Sequence, residues 1–117
     1  AHADIVITMY STFFIEAAIF SKPVIAASFD GRRELDYWNS ARRFFEWNHL
    51  SDLKPLDGVA IPKNGEEFID VINAYLRDPL IRADGRKKIV VQQCQFTDGL
   101  SGSRLAKTIL EVLELNK

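Results

Sequence analysis

Cysteine is almost missing from this chain: Cys94 stands alone among 117 residues. A single thiol cannot close an internal disulfide, so a reducing, cytoplasmic setting is the default expectation. Histidine is scarce too. His2 lies at the terminus and His49 stands alone beside Trp47 and Asn48, so no His/Cys cluster can be assembled and no metal is expected. Neither charge sign dominates, because 15 Lys and Arg against 16 Asp and Glu leave a formal net charge of −1. That balance argues against nucleic acid as a partner, which calls for a basic stripe. The pairs Arg32-Arg33, Arg42-Arg43 and Lys87-Lys88 read as solvated faces. The most apolar stretch, residues 5–29, is broken by Glu16 and by Lys22-Pro23, which excludes a transmembrane segment there. There is no glycine-rich dinucleotide fingerprint and no P-loop.

What is present is enough for one compact core. Apolar residues make up 47% and charged residues 26%, with eight Phe, three Tyr and two Trp. The β-branched run at 5–8 predicts a strand buried on both faces. Ser11 and Thr12 then offer N-caps for a helix over 13–20 that is apolar nearly all round and therefore expected to be deeply buried. Residues 23–29 (PVIAASF) predict a second strand, closed by the Asp30-Gly31 turn. Leu35, Trp38, Ala41, Arg42 and Phe45 have roughly helical spacing, which predicts a helix over 35–47 and a loop over 49–55. A short strand over 58–61 ends at Pro62. Asn64-Gly65-Glu66-Glu67 resembles a capping box, and the helix behind it stops at Asp78-Pro79. A helix over 80–96, weakened by Gly85, and a last helix capped by Ser101 or Ser103 complete the chain.

Short apolar strands alternating with helices predict an α/β fold, a Rossmann-like three-layer αβα domain with a short parallel sheet. Three strands are few for such a sheet, and the chain enters its first strand almost at once. Residues 1–117 are therefore expected to be a single domain of a longer chain, with strands missing at the N-terminal side or supplied by a partner chain.

Ligands of open parallel sheets bind beyond the carboxyl ends of the strands. Those ends are 9–12, 28–31 and 62–65. At the first, Ser11 and Thr12 open a helix whose unpaired N–H groups and dipole suit a phosphate, although plain helix capping explains the same residues. Glu16 is the one charge in an otherwise apolar helix. An unpartnered buried carboxylate is costly, and Glu16 lies past the capping-box position. There it can accept two hydrogen bonds from a ribose diol, or it can be an ordinary exposed helix Glu. Tyr10 could stack on a base or cover the sheet edge. Arg32, Arg33 and Arg43 could neutralise a pyrophosphate or face solvent. Cys94 reads as a core residue and Asp98-Gly99 with Ser101 as a turn and cap.

The run Ala3-Asp4-Ile5-Val6-Ile7-Thr8, then Tyr10-Ser11-Thr12, then Ile15-Glu16 through Ser21-Lys22-Pro23-Val24-Ile25, resembles the donor-binding half of glycosyltransferases built from two facing Rossmann-like domains (the GT-B type). Asn64-Gly65-Glu66-Glu67 and Tyr75-Leu76-Arg77-Asp78-Pro79 extend the likeness. The resemblance implies a C-terminal donor-binding domain in which the Ser11-Thr12 turn holds the diphosphate of a nucleotide-sugar donor and Glu16 holds its ribose, without a metal cofactor. The expected donor-binding set is Tyr10, Ser11, Thr12, Glu16, Asp30 and Arg32. It also implies that an N-terminal domain of the same chain supplies the base and most acceptor contacts, and that this piece alone is inactive. Ser11-Thr12 in place of a glycine-rich turn, and the bulky Phe13-Phe14, depart from many members. Those departures fit a branch with another donor or a polyol-phosphate transferase of the same architecture. Non-hydrolysing nucleotide-sugar epimerases share the fold, and a non-catalytic interaction module that keeps it is a reading of a different class.

Overall fold

The computed structural model describes residues 2–9, 11–46 and 48–115. Strand β1 (Val6–Thr8) leads into helix α1 (Phe13–Ile19) and returns as strand β2 (Val24–Ala26). The two strands pair in parallel, with Val6 opposite Val24 and Thr8 opposite Ala26. α1 ends because Ser21 adopts a left-handed conformation (φ 54°). That places the Ser21 and Lys22 N–H groups on the carbonyls of Ala18 and Ala17, and Pro23 then forbids continuation.

The strand expected over 58–61 is a single parallel bridge, Ala60 to Ile25. It is held where Ala26 N–H donates to Ala60 O (2.8 Å) and Ala60 N–H to Val24 O (3.0 Å). The sheet therefore runs β1, β2, then the Ala60 segment, with β2 central and fully buried.

Alternation along β2 builds two cores. Val24 and Ala26 face Phe14, Ala17, Ala18, Phe45, Leu53 and Ile89, so α1, α4 (Ala83–Gln93) and the 3-10 segment Asn48–Leu56 cover that side. Ile25 points the other way, with Ala60 and Tyr75, beneath α3 (Gly65–Arg77). This is the expected αβα layering in small form. β1 departs from expectation: it is an edge strand, and Ile7 is 53% exposed. α1 buries one face only, through Phe14, Ala17 and Ala18, and leaves Phe13 and Phe20 in solvent.

The helix expected over 35–47 is reduced to α2 (Arg42–Glu46). Side chains upstream divert the backbone. Asp36 accepts from Trp38 N–H (3.1 Å) and the Asn39 amide (2.7 Å), Ser40 Oγ accepts from Arg42 N–H (3.1 Å), and Asp30 accepts from Ala41 N–H (2.7 Å). Such local bonds compete with helical ones. α3 opens as expected, since Asn64 Oδ1 accepts from Glu67 N–H (2.9 Å) while Glu67 Oε2 accepts from Lys63 N–H (2.8 Å). α4 and α5 (Ser101–Leu115) follow, and α5 lies largely clear of the other elements.

Candidate functional site

The carboxyl end of β2 and the end of the Ala60 segment are tied together at the mouth of the sheet. Ser28 is buried there, and its N–H and hydroxyl both donate to Pro62 O, at 3.2 and 2.8 Å. Beyond this clasp the 28–41 loop and the 62–65 loop face each other across a cavity of about 200 Å³. Asp30, Arg33, Glu34, Arg42, Lys63 and Gly65 line it. A second cavity of about 420 Å³ adjoins, with Phe45 and Ile61 in its wall. Arg42 and Lys63 border both.

Asp30 organises this mouth. Its side chain is 4% exposed and accepts from Ala41 N–H at 2.7 Å and Leu35 N–H at 3.3 Å. The Ser40 hydroxyl, foremost, and these amides hold its carboxyl below the usual carboxylate range. Gly31, at φ 76°, turns the chain over immediately afterwards. Arg42 lies 4.0 Å from Asp30 and 3.0 Å from Glu34. Arg33 and Lys63 have no carboxylate within ion-pair distance among the described residues.

The residues expected from the sequence do not all meet here. Asp30 does, as a loop anchor. Arg32 and Arg33 are both exposed, and Arg33, not Arg32, lines the cavity. Ser11 Oγ accepts from Phe13 N–H (3.1 Å) and so caps α1, whereas Thr12 makes no side-chain cap. Glu16 is exposed and borders another cavity, of about 290 Å³, with Ala3, Val6, Phe13, Phe20 and Lys22. That cavity runs along the flank of α1 and shares no lining residue with the one at Asp30. Tyr10 and the side chain of His49 lie outside the described residues. Lys63 and Arg42 were not among the expected residues, although Lys63 stands in the third strand-end loop, where sequence reasoning looks for ligands. Among the described residues no group of three His, Cys, Asp or Glu is placed to hold a metal ion, and no helix is long and apolar enough to cross a membrane.

Comparison with known proteins adds one finding. Neither the curated proteins nor the solved structures contain a match. The family model described as CDP-glycerol:poly(glycerophosphate) glycerophosphotransferase matches residues 1–111. With a small αβα domain whose charged cavity opens at the carboxyl ends of its strands, the chain belongs to the CDP-glycerol:poly(glycerophosphate) glycerophosphotransferase family.

Proposed function

We propose that this chain binds a CDP-glycerol-type donor for transfer of its glycerophosphate group to a poly(glycerophosphate) acceptor. The observation that carries this reading is the convergence of Arg33, Arg42 and Lys63 at the mouth of the sheet, in a chain matched by that family over 1–111. In the transfer an acceptor hydroxyl attacks the phosphorus that bears glycerol. The bond from that phosphorus to the bridging oxygen breaks, CMP departs with the electron pair, and the hydroxyl proton passes to base or solvent. Fixed cations favour such a reaction by neutralising the charge that builds on the leaving phosphate. From the sequence resemblance, Ser11 and Thr12 are further proposed to hold the donor diphosphate and Glu16 its ribose diol, with Glu16 bordering a cavity that shares no lining residue with the one at Asp30.

Sugar transfer from a nucleoside-diphosphate sugar is the second reading, favoured by the Ala3 to Ile25 segment. The two differ in the departing group, which is CMP for glycerophosphate transfer and a nucleoside diphosphate for sugar transfer. Calorimetric titration separates them by affinity. Tighter binding of CDP-glycerol than of UDP-glucose supports the first, the reverse order supports the second, and no binding of either sinks both. Glu16→Ala is expected to weaken cytidine nucleotide binding about tenfold, the effect of losing a hydrogen bond to a charged group; unchanged affinity removes Glu16 from the site.

A further inference from the structure

We infer that Arg33, Arg42 and Lys63 form a phosphate-accepting subsite between the 28–41 loop and the start of α3. Three cations and two carboxylates line the cavity. The carboxylates act on Arg42 and leave the other two cations unpaired: Asp30, an ionised carboxylate held by two amides and the Ser40 hydroxyl, lies 4.0 Å from Arg42. Glu34 reaches only Arg42, with Oε1 3.0 Å from Nη1. The guanidinium of Arg33 and the ammonium of Lys63 are left without an ion-pair partner among the described residues. Like charges held around one hollow repel unless an anion enters it.

The sizes fit a phosphate rather than a whole nucleotide. Sites for drug-sized ligands span roughly 300–1,000 Å³, whereas this hollow is about 200 Å³. The neighbouring cavity of about 420 Å³, walled by Phe45 and Ile61, leaves room for the rest of the molecule on the far side of Arg42 and Lys63. Glu34 then stands where a ligand oxygen would go. Its side chain is 81% exposed, so it can swing out, and it competes with an incoming anion for Arg42. The subsite takes a phosphate or phosphodiester, and its two possible sources are the donor's diphosphate and the acceptor polymer. Only the choice between these sources rests on the transferase reading; the subsite does not.

The test is titration of pyrophosphate alone into the intact chain at low and raised salt. Binding is expected, and it should weaken with salt. Arg33→Ala and Lys63→Ala should each lower the affinity about fivefold or more, the loss of a charge-assisted contact at a half-open site. Glu34→Gln should raise it about threefold by freeing Arg42, and a gain cannot come from a misfolded variant. Lys107→Ala, on the exposed face of α5, should change nothing. No pyrophosphate binding, or a Lys63→Ala or Glu34→Gln variant that binds like the parent, overturns the subsite. Repeating the Lys63→Ala titration with CDP and with a short glycerophosphate oligomer names the source: weakened CDP assigns the donor, and a weakened oligomer with CDP unchanged assigns the polymer. CDP-glycerol binding without pyrophosphate binding would remove the subsite and leave the transferase reading. Pyrophosphate binding that depends on Lys63, without any nucleotide binding, would do the opposite.

Discussion

Asp98 and Arg104 form a two-point ion pair at the start of α5. Arg104 presents two nitrogens to the two carboxylate oxygens, at 2.8 and 2.6 Å, and its guanidinium lies 3.9 Å over the Phe96 ring. Arg104, and after it the Leu100 N–H, hold the Asp98 carboxyl at about 2, against an ordinary 3.8. A carboxyl whose folded value is depressed adds stability above its unfolded value and loses it as pH falls through the folded one. The junction before α5 should therefore hold at neutral pH and loosen as pH falls from 3.8 toward about 2. Carboxyl NMR checks this: an Asp98 midpoint near 2 is expected, a midpoint near 3.8 refutes the pair, and Asp98→Asn should abolish the transition. The gain is modest because both side chains are partly exposed. The sequence reveals the turn at Asp98-Gly99 and the helix start at Ser101, since both follow from local chemistry. It does not reveal the partner six residues on, because that pairing crosses a loop-to-helix boundary with no fixed period. The same limit separates Arg32 from Arg33. Past Gly31 at φ 76°, neither strand nor helix periodicity says which of the two exposed arginines borders the cavity.

At the scale of elements, boundaries written in local chemistry were legible and those set by distant contacts were not. α3 begins at its capping box and ends before Asp78-Pro79, as the residues require. The helix expected over 35–47 fails because Asp30, upstream of it, captures amides at Leu35 and Ala41. Gly85 reads in the sequence as a weak point in a helix, and its second role depends on a distant contact. In the structure it is where α4 crosses the chain closely: a Cβ there would overlap the carbonyl group of Asp57, and one on Gly58 would meet Ile89 and the Gly85 backbone. α4 approaches the 3-10 segment because both positions lack a side chain. Gly85→Ala, normally worth about 1 kcal/mol of helix stability, should instead destabilise by about 1–3 kcal/mol through overpacking. Urea unfolding decides it, since a midpoint at or above the parent's would mean that the crossing is loose.

The whole molecule is elongated. Its radius of gyration is 17.9 Å with extents of 61 × 35 × 25 Å, against roughly 13 Å for a compact chain of this length. The excess comes from α5, where Leu105, Ile109, Leu110, Val112 and Leu113 are all half exposed or more. Their spacing does put several of them on one face, which is as far as periodicity reaches; whether that face is covered depends on what packs against it. Stability should therefore be concentrated around the sheet. Ile89 is fully buried between α1 and the sheet, and Ile89→Ala should cost about 2–5 kcal/mol by removing apolar contact and leaving a cavity. Ile109→Ser, on α5, should change stability by no more than about 0.5 kcal/mol, as an exposed substitution does. Urea melts of the two variants place the core. If Ile109→Ser costs as much as Ile89→Ala, α5 is packed in solution and the molecule is more compact than its 61 Å extent implies. If only Ile89→Ala is costly, the folding unit is the sheet with α1, α3 and α4, and the cavity at Lys63 belongs to that unit.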